Sequence, residues 1–251
     1  MKSELRRAHA YHDHDRGNRT APARSARNYY VLMILLDKLR RVVESDLLAG
    51  GEKILDYGCG NQPYRELFAE KFKSYIGADI AGNREADLVI DEEGKVPLAK
   101  DESFDCVLSS QVLEHVTSPR VYLSEAYRML KPAGSLVLST HGIWPYHPDP
   151  TDYWRWTIEG LQREISQAGF EIKMVQSVFG IEACALQLWQ DATYERLPRP
   201  LRPIYTRIIQ SFIGFIERRH PDQVSNDAST YVILARKKLQ HENGPAEDVG
   251  A

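Results

Sequence analysis

One stretch constrains this chain more than any other: Lys53-Ile54-Leu55-Asp56-Tyr57-Gly58-Cys59-Gly60-Asn61-Gln62-Pro63-Tyr64, an apolar run that ends in an acid, two glycines and a proline. The run has the length of a buried strand. Glycines at 58 and 60 permit a tight turn and a close approach of the main chain that a Cβ would block. A strand that turns this way into a helix opens an α/β sheet, whose carboxyl strand ends leave a crevice for a ligand.

The flanking segments keep the same rhythm. Tyr30, Ile34, Leu35, Leu39, Val42 and Val43 lie at helical spacing and predict a helix over 29–48, packed on the sheet before its first strand at 53–57. Pro63 suits a first helical turn, so the next helix is expected over 63–72. Strands follow at 74–79, 87–90, 105–110 and 135–140, with a helix at 121–130 that starts at Ser118-Pro119 and ends at Pro132-Ala133-Gly134. Thr157 as N-cap and Gly169 after the last turn bracket a further helix. Strands at 171–177 and 231–235 complete the pattern. The expected fold is a Rossmann-like, mostly parallel seven-stranded sheet with helices on both faces.

About fifty residues separate the last two strands, far more than a connecting loop needs. They read as a helical insertion, at about 180–228, before the last strand. Ile204, Ile208, Ile209, Phe212, Ile213, Phe215 and Ile216 give its second helix a broad apolar face with Arg202, Arg207, Arg218 and Arg219 nearby. Such a face packs on its own domain or lies on a membrane surface as a peripheral contact. The domain is expected to span 29–238, between a flexible arm at 1–28 and a flexible tail at 239–251. His9, His12 and His14 fall in the arm and read as solvated rather than metal-binding.

A net charge of −3 gives no electrostatic case for a nucleic-acid partner. No apolar run reaches the roughly 18 residues of a membrane span. Cys59, Cys106 and Cys184 are odd in number and widely spaced, so they predict neither a disulfide framework nor a metal site. A reducing cytoplasm suits them.

Residues beyond the first strand narrow the choice of ligand. A dinucleotide fingerprint requires a third glycine where Pro63 stands, and no Tyr-x-x-x-Lys-type pair sits in a suitable place; both weigh against an NAD-dependent oxidoreductase. Asp79 closes the second strand about twenty residues on, where an acid accepts the hydroxyls of a ribose. Then come Asp91, Ser103-Phe104-Asp105-Cys106-Val107, Gln111-Val112-Leu113-Glu114-His115 and Leu130-Lys131-Pro132-Ala133-Gly134-Ser135-Leu136. In this order and at these intervals, over about 53–140, the series resembles the class I S-adenosylmethionine-dependent methyltransferases, in particular the type 11 methyltransferase domain.

The resemblance implies S-adenosyl-L-methionine as cofactor. It implies that Asp56 with Gly58, Cys59 and Gly60 holds the methionine part, Asp79 and Ile80 the ribose side, and Asp91 the adenine. Gln111 and Leu113 would flank the sulfonium and the acceptor. Phe104 and Leu113 also read as core, and Cys59 as a small space-filler in the turn.

The segment 141–157, His-Gly-Ile-Trp-Pro-Tyr-His-Pro-Asp-Pro-Thr-Asp-Tyr-Trp-Arg-Trp-Thr, is denser in aromatic, histidine and acidic residues than the rest. It resembles a Pro-x-Asp-Tyr-x-Arg-x-Thr stretch in bacterial methyltransferases, many of them associated with surface-glycan synthesis. O-methylation of a small-molecule or glycan-like acceptor is therefore expected. A hydroxyl acceptor calls for a base, with His141 the first candidate and His147 the second. Asp149 or Asp152 could orient either ring, and Asp152 with Arg155 could equally form a pair that pins the loop. A non-catalytic cofactor-binding or scaffold protein remains the alternative of a different class.

Overall fold

The computed structural model describes residues 19–219 and 222–239. Residues 1–18 of the expected arm, with its three histidines, and 240–251 of the expected tail lie outside them, while 19–28 are described.

The chain opens with helix α1 (Tyr29–Glu44), then β1 (Gly51–Tyr57), a single turn of helix α2 (Arg65–Phe68), β2 (Phe72–Ile80) and β3 (Leu88–Ile90). It continues through β4 (Phe104–Ser110), α3 (Pro119–Met129), β5 (Leu130–His141), α4 (Ile158–Gln167) and β6 (Phe170–Val178). Two helices, α5 (Ile181–Tyr194) and α6 (Arg202–Glu217), precede the last strand, β7 (Thr230–Lys237). The seven strands form one sheet in the order β3-β2-β1-β4-β5-β7-β6. β7 runs antiparallel to both its neighbours and the other pairings are parallel. The expected mostly parallel sheet with a helical insertion before its last strand is therefore present.

Alternation along the strands builds two cores. On one face Leu55, Tyr57, Val107, Leu136, Leu138 and Ile233 pack against Tyr122, Leu123 and Ala126 of α3 and Leu161 and Ile165 of α4. On the other Ile54, Cys106, Leu108, Val137, Val232 and Leu234 pack against Val31, Leu35, Leu39 and Val42 of α1, Ala183 of α5 and Ile213 of α6. The two inserted helices thus cover the same face as α1. A Cβ on Gly214 would lie 2.2 Å from the Tyr30 ring, so glycine allows α6 to press against α1. Buried Gln210 ties the layer together, donating to the carbonyl of Arg27 at 2.7 Å and accepting from the Tyr30 amide at 3.1 Å.

Two expectations need correction. The helix expected over 63–72 shrinks to Arg65–Phe68, because Phe72 is buried and enters the sheet opposite Gly51. Pro132-Ala133-Gly134 does not simply end a helix: these residues lie inside β5, where Ala133 adopts φ 59° and the register against β4 shifts. The caps stand as read. Thr157 accepts the Gly160 amide at 3.2 Å, and Gly169 follows α4 at φ 96°.

Candidate active site

The chain passes outward from β1 through β2 to β3 and then crosses to β4 on the other side of β1, so the order of strands reverses between β1 and β4. Ligands bind at such a switch point, beyond the carboxyl ends of the strands. A cavity of about 930 Å³ opens there, within the usual range for a small-molecule site. Its walls include Asp56, Gly58, Cys59, Gly60, Asp79, Ile80, Asp91 and Gln111, and also His141 and His147. Leu113 is the exception: it is fully buried in the core and does not line the cavity.

The turn after β1 is held open from beneath. Gly58 and Cys59 donate their amides to the Ala78 carbonyl at 2.8 and 3.0 Å, and Gly60 donates to Asp79 Oδ2 at 2.8 Å. Gly58 at φ 88° leaves no room for a side chain, since a Cβ would lie 2.4 Å from Val112. At Gly60, φ 53°, a Cβ would meet nothing within 4 Å, so its backbone borders open space. Gln62 also lies in the left-handed region, at φ 54°, where glycine would be unstrained.

Three acids border the same end. Asp56 is buried and accepts the Tyr75 hydroxyl at 2.5 Å. Burial pushes its carboxyl up to about 7, while the Tyr75 hydrogen bond draws it down. Asp79 also accepts from Asn83 Nδ2 at 2.6 Å, and Asp91 accepts the amides of Glu93 and Lys95 at 3.0 and 2.8 Å. A cationic ligand with a ribose fits this donor and acceptor set: a buried carboxylate calls for positive charge, and the glycine turn leaves backbone bare. The cofactor implied by the sequence carries both groups.

The opposite end is built by the 141–157 segment. His141, the last residue of β5, stacks on Trp144 with ring centroids 5.0 Å apart. Its Nδ1 lies 3.4 Å from the Ser229 carbonyl and 3.2 Å from Thr230 Oγ1, and its Nε2 lies 3.4 Å from Glu114 Oε1. Desolvation, with the nearby His147 and Arg155, holds its pKa well below the usual imidazole range. His147 packs edge-on to His141 and to His115 at 4.9 and 5.0 Å. Burial holds it down to about 4, and Asp152 opposes the fall. Asp152 accepts the His147 amide at 2.8 Å and both guanidinium nitrogens of Arg155 at 2.6 Å. Arg155 also donates to the carbonyls of Trp144 and Pro145 at 2.9 and 2.7 Å. The Asp152–Arg155 pair therefore pins the loop, and it orients His147 as well.

The first described residues reach this cavity too: Arg19, and Asn28, Val31, Leu32 and Leu35 of the α1 segment, line it together with Tyr64. Sequence alone does not assign them to the site. The i, i+4 spacing of Val31 and Leu35 signals a helix face but not what that face covers.

Residues 25–173 match a family model described as a methyltransferase domain. The chain is 31% identical over 123 residues to a ubiquinone biosynthesis O-methyltransferase of Cereibacter sphaeroides, a match covering 44% of this chain and 50% of the relative. This chain thus spans about half the length of the first curated relatives it matches. Among solved structures, phosphoethanolamine N-methyltransferase 2 of Haemonchus contortus, in complex with S-adenosyl-L-methionine, superposes with a TM-score of 0.55 at 16% identity, over 92% of this chain and 60% of that one. The [4+2]-cyclase SpnF superposes with a TM-score of 0.52 at 22% identity, over 81% of each chain. At these identities the structural likeness establishes the fold, and a fold that serves an N-methyltransferase and a cyclase leaves the reaction to the site.

Proposed function

The chain belongs to the methyltransferase-domain family that the match over residues 25–173 defines, and from that premise we propose that it transfers the methyl group of S-adenosyl-L-methionine to a hydroxyl oxygen of a small-molecule or glycan-like acceptor. One observation carries this reading: a single cavity is bordered by Asp56, Asp79 and Asp91 at one end and by His141, His147 and Trp144 at the other. When bound, the cofactor supplies an electrophilic methyl group on a sulfonium. The chain supplies alignment and a proton acceptor.

In this reading Asp56 and the 58–60 turn bind the methionine part, Asp79 the ribose, and Asp91 the adenine side. Gln111, whose backbone N–H donates to the Ser139 carbonyl at 2.9 Å and whose side-chain Nε2 donates to Ser139 Oγ at 3.2 Å, is held against the cavity it lines. His141 receives the acceptor proton at Nε2, beside the Glu114 carboxyl, and its lowered pKa keeps the ring neutral and able to accept. Trp144 and the pinned loop exclude water from one wall. The antiparallel β7 departs from the dinucleotide-binding strand order, which supports a methyl donor over a nicotinamide.

A second feature supports peripheral contact with an anionic membrane surface. Ile204, Ile208, Phe212 and Phe215 of α6 are about half exposed or more, and Arg207, Arg218 and Arg219 are exposed around them. Among the described residues no helix is long and apolar enough to cross a membrane.

The test is incubation with methyl-labelled cofactor and fractionated cell extract, with calorimetry of the cofactor and its demethylated product alongside. Label in a small-molecule or glycan fraction, with Asp79→Ala losing cofactor affinity, is the expected result. Normal cofactor affinity with no transfer to any fraction would instead favour the non-catalytic alternative.

A further inference from the structure

At the His141 end of the cavity, His141 and His115 face one carboxylate oxygen and His147 lies beside them. Glu114 is fully buried, and its Oε2 accepts the Thr140 hydroxyl at 2.8 Å. Its Oε1 makes no hydrogen bond, although His141 Nε2 lies 3.4 Å and His115 Nε2 4.0 Å away. Ligand atoms of Glu114, His115 and His147 all lie within 4.8 Å of one another.

The outward side of each ring explains this convergence. His115 Nδ1 bonds the Thr151 carbonyl, His147 Nδ1 lies 3.5 Å from the Asp152 carboxylate, and His141 Nδ1 faces the Ser229 carbonyl at 3.4 Å. On His115 and His141 the Nδ1 that faces a carbonyl acts as the N–H donor, so in the neutral imidazole Nε2 carries the lone pair, whereas His147 Nδ1 lies between the Asp152 carboxylate and Arg155 Nη2, 3.4 Å away. Metal-binding histidines are held in this way, the second ring N–H donating to a carbonyl or carboxylate. Lone pairs on Nε2 and on Glu114 Oε1 repel unless positive charge lies between them. A proton would satisfy one such pair, whereas a divalent cation can sit between Glu114 Oε1 and more than one ring at once.

We propose that Glu114, His115 and His147 bind a divalent transition-metal ion of the imidazole-preferring kind, such as zinc, with His141 beside it. Two histidines and a carboxylate leave coordination positions open, and both histidines line the cavity, so the open positions face an incoming acceptor. Ligand bonds of about 2.0–2.2 Å require the three atoms to close by roughly 1 Å from their present spacing. The ion's role rests on the methyl-transfer reading. It would hold the acceptor oxygen and acidify its proton, which passes to His141 as the O–CH₃ bond forms, the S–CH₃ bond breaks and the sulfonium leaves as a neutral thioether. The binding itself does not rest on that reading, and binding is what the experiment measures.

Full-length protein, stripped with a chelator and dialysed, is titrated with Zn²⁺ against a chromophoric competitor. The variants are His115→Ala, His147→Ala, and a triple variant, His9→Ala with His12→Ala and His14→Ala, that removes a rival site. One equivalent should bind with submicromolar affinity, unchanged in the triple variant and weakened by about 100-fold or more in either single variant. Affinity for S-adenosylhomocysteine in the same samples reports whether the single variants are folded. Should they fail to fold, Co²⁺ added to the triple variant must give the visible bands of a four- or five-coordinate histidine site. The proposal is overturned if the parent binds no equivalent of Zn²⁺ at micromolar concentration, if the triple variant loses the binding, if folded single variants keep it, or if the Co²⁺ bands are absent. Zinc binding without methyl transfer to any acceptor would leave the metal site standing and remove the methyl-transfer reading.

Discussion

Replacing Asp56 by asparagine should make the ligand-free protein more stable and less able to hold its cofactor. The carboxyl lies at the end of β1, 3% exposed, with the Tyr75 hydroxyl as its hydrogen-bond donor. Burial raises its pKa from 3.8 to about 7, with the Tyr75 bond opposing and Asp79 reinforcing the rise. In the unfolded chain the same group titrates near its ordinary value, so between those two pH values only the folded state keeps the proton. Its contribution to stability is therefore full below the unfolded pKa and is lost as pH rises to the folded one. A gap of about 3 units at ~1.4 kcal/mol each gives about 4 kcal/mol lost by about pH 8. Asparagine keeps an acceptor for Tyr75 without the charge and should recover most of that loss. Urea denaturation of both proteins, free of ligand, measures the difference, which should be near zero at about pH 4 and approach about 4 kcal/mol at about pH 8. A flat difference across the range would refute the burial argument. An asparagine variant that binds S-adenosylhomocysteine as tightly as the parent would refute the binding role.

Gly58→Ala should cost about 2–4 kcal/mol, from a strained positive φ and a clash with Val112, and should abolish cofactor binding; calorimetry and chemical denaturation read the two effects separately. Arg155→Ala should leave S-adenosylhomocysteine affinity within about threefold yet lower turnover by about 100-fold or more, because the loop carrying His147 loses its clamp. Arg155→Lys should not rescue it, since an ammonium cannot span Asp152 and two carbonyls at once; full rescue would sink the clamp argument. Phe212→Glu combined with Phe215→Glu should lower pelleting with phosphatidylserine vesicles by about tenfold or more, and unchanged pelleting would remove the membrane contact.

The end of the cavity bordered by Asp56 and Asp79 was legible because its spacings are local. An acid at the end of an apolar run, glycines in the turn and an acid closing the next strand are all set by short spacings, and the fold brings Asp56, Gly60 and Asp79 together as read. Leu113 shows the limit of that reading. It sits two residues beyond Gln111, but the chain turns inward after Gln111 at φ 58°, and the leucine enters the core. The short α2 has a similar cause. Nothing near Phe72 in sequence reveals that a buried aromatic opposite Gly51 stabilises the sheet more than another helical turn would.

The acceptor end was legible in composition only. The density of aromatic and histidine residues over 141–157 pointed to this loop as a candidate site, and His141 and His147 do reach one cavity. Their grouping around Glu114 was not readable, because it depends on β4 and β5 running side by side and on a loop folded back by the Asp152–Arg155 pair. The inserted helices behave likewise: sequence supplied an apolar face, and packing against α1 decided that Ile213 is buried while Phe212 beside it is exposed.

By itself, then, the sequence determined the alternating α/β architecture and the acids and glycines of the turn after β1, because strand period, caps and tight turns act over a few residues. Only the tertiary structure decided which histidines share a carboxylate, which apolar residues stay in water and which helix lines the cavity. Those contacts join residues far apart in the chain, and their energies depend on burial, which no local spacing encodes.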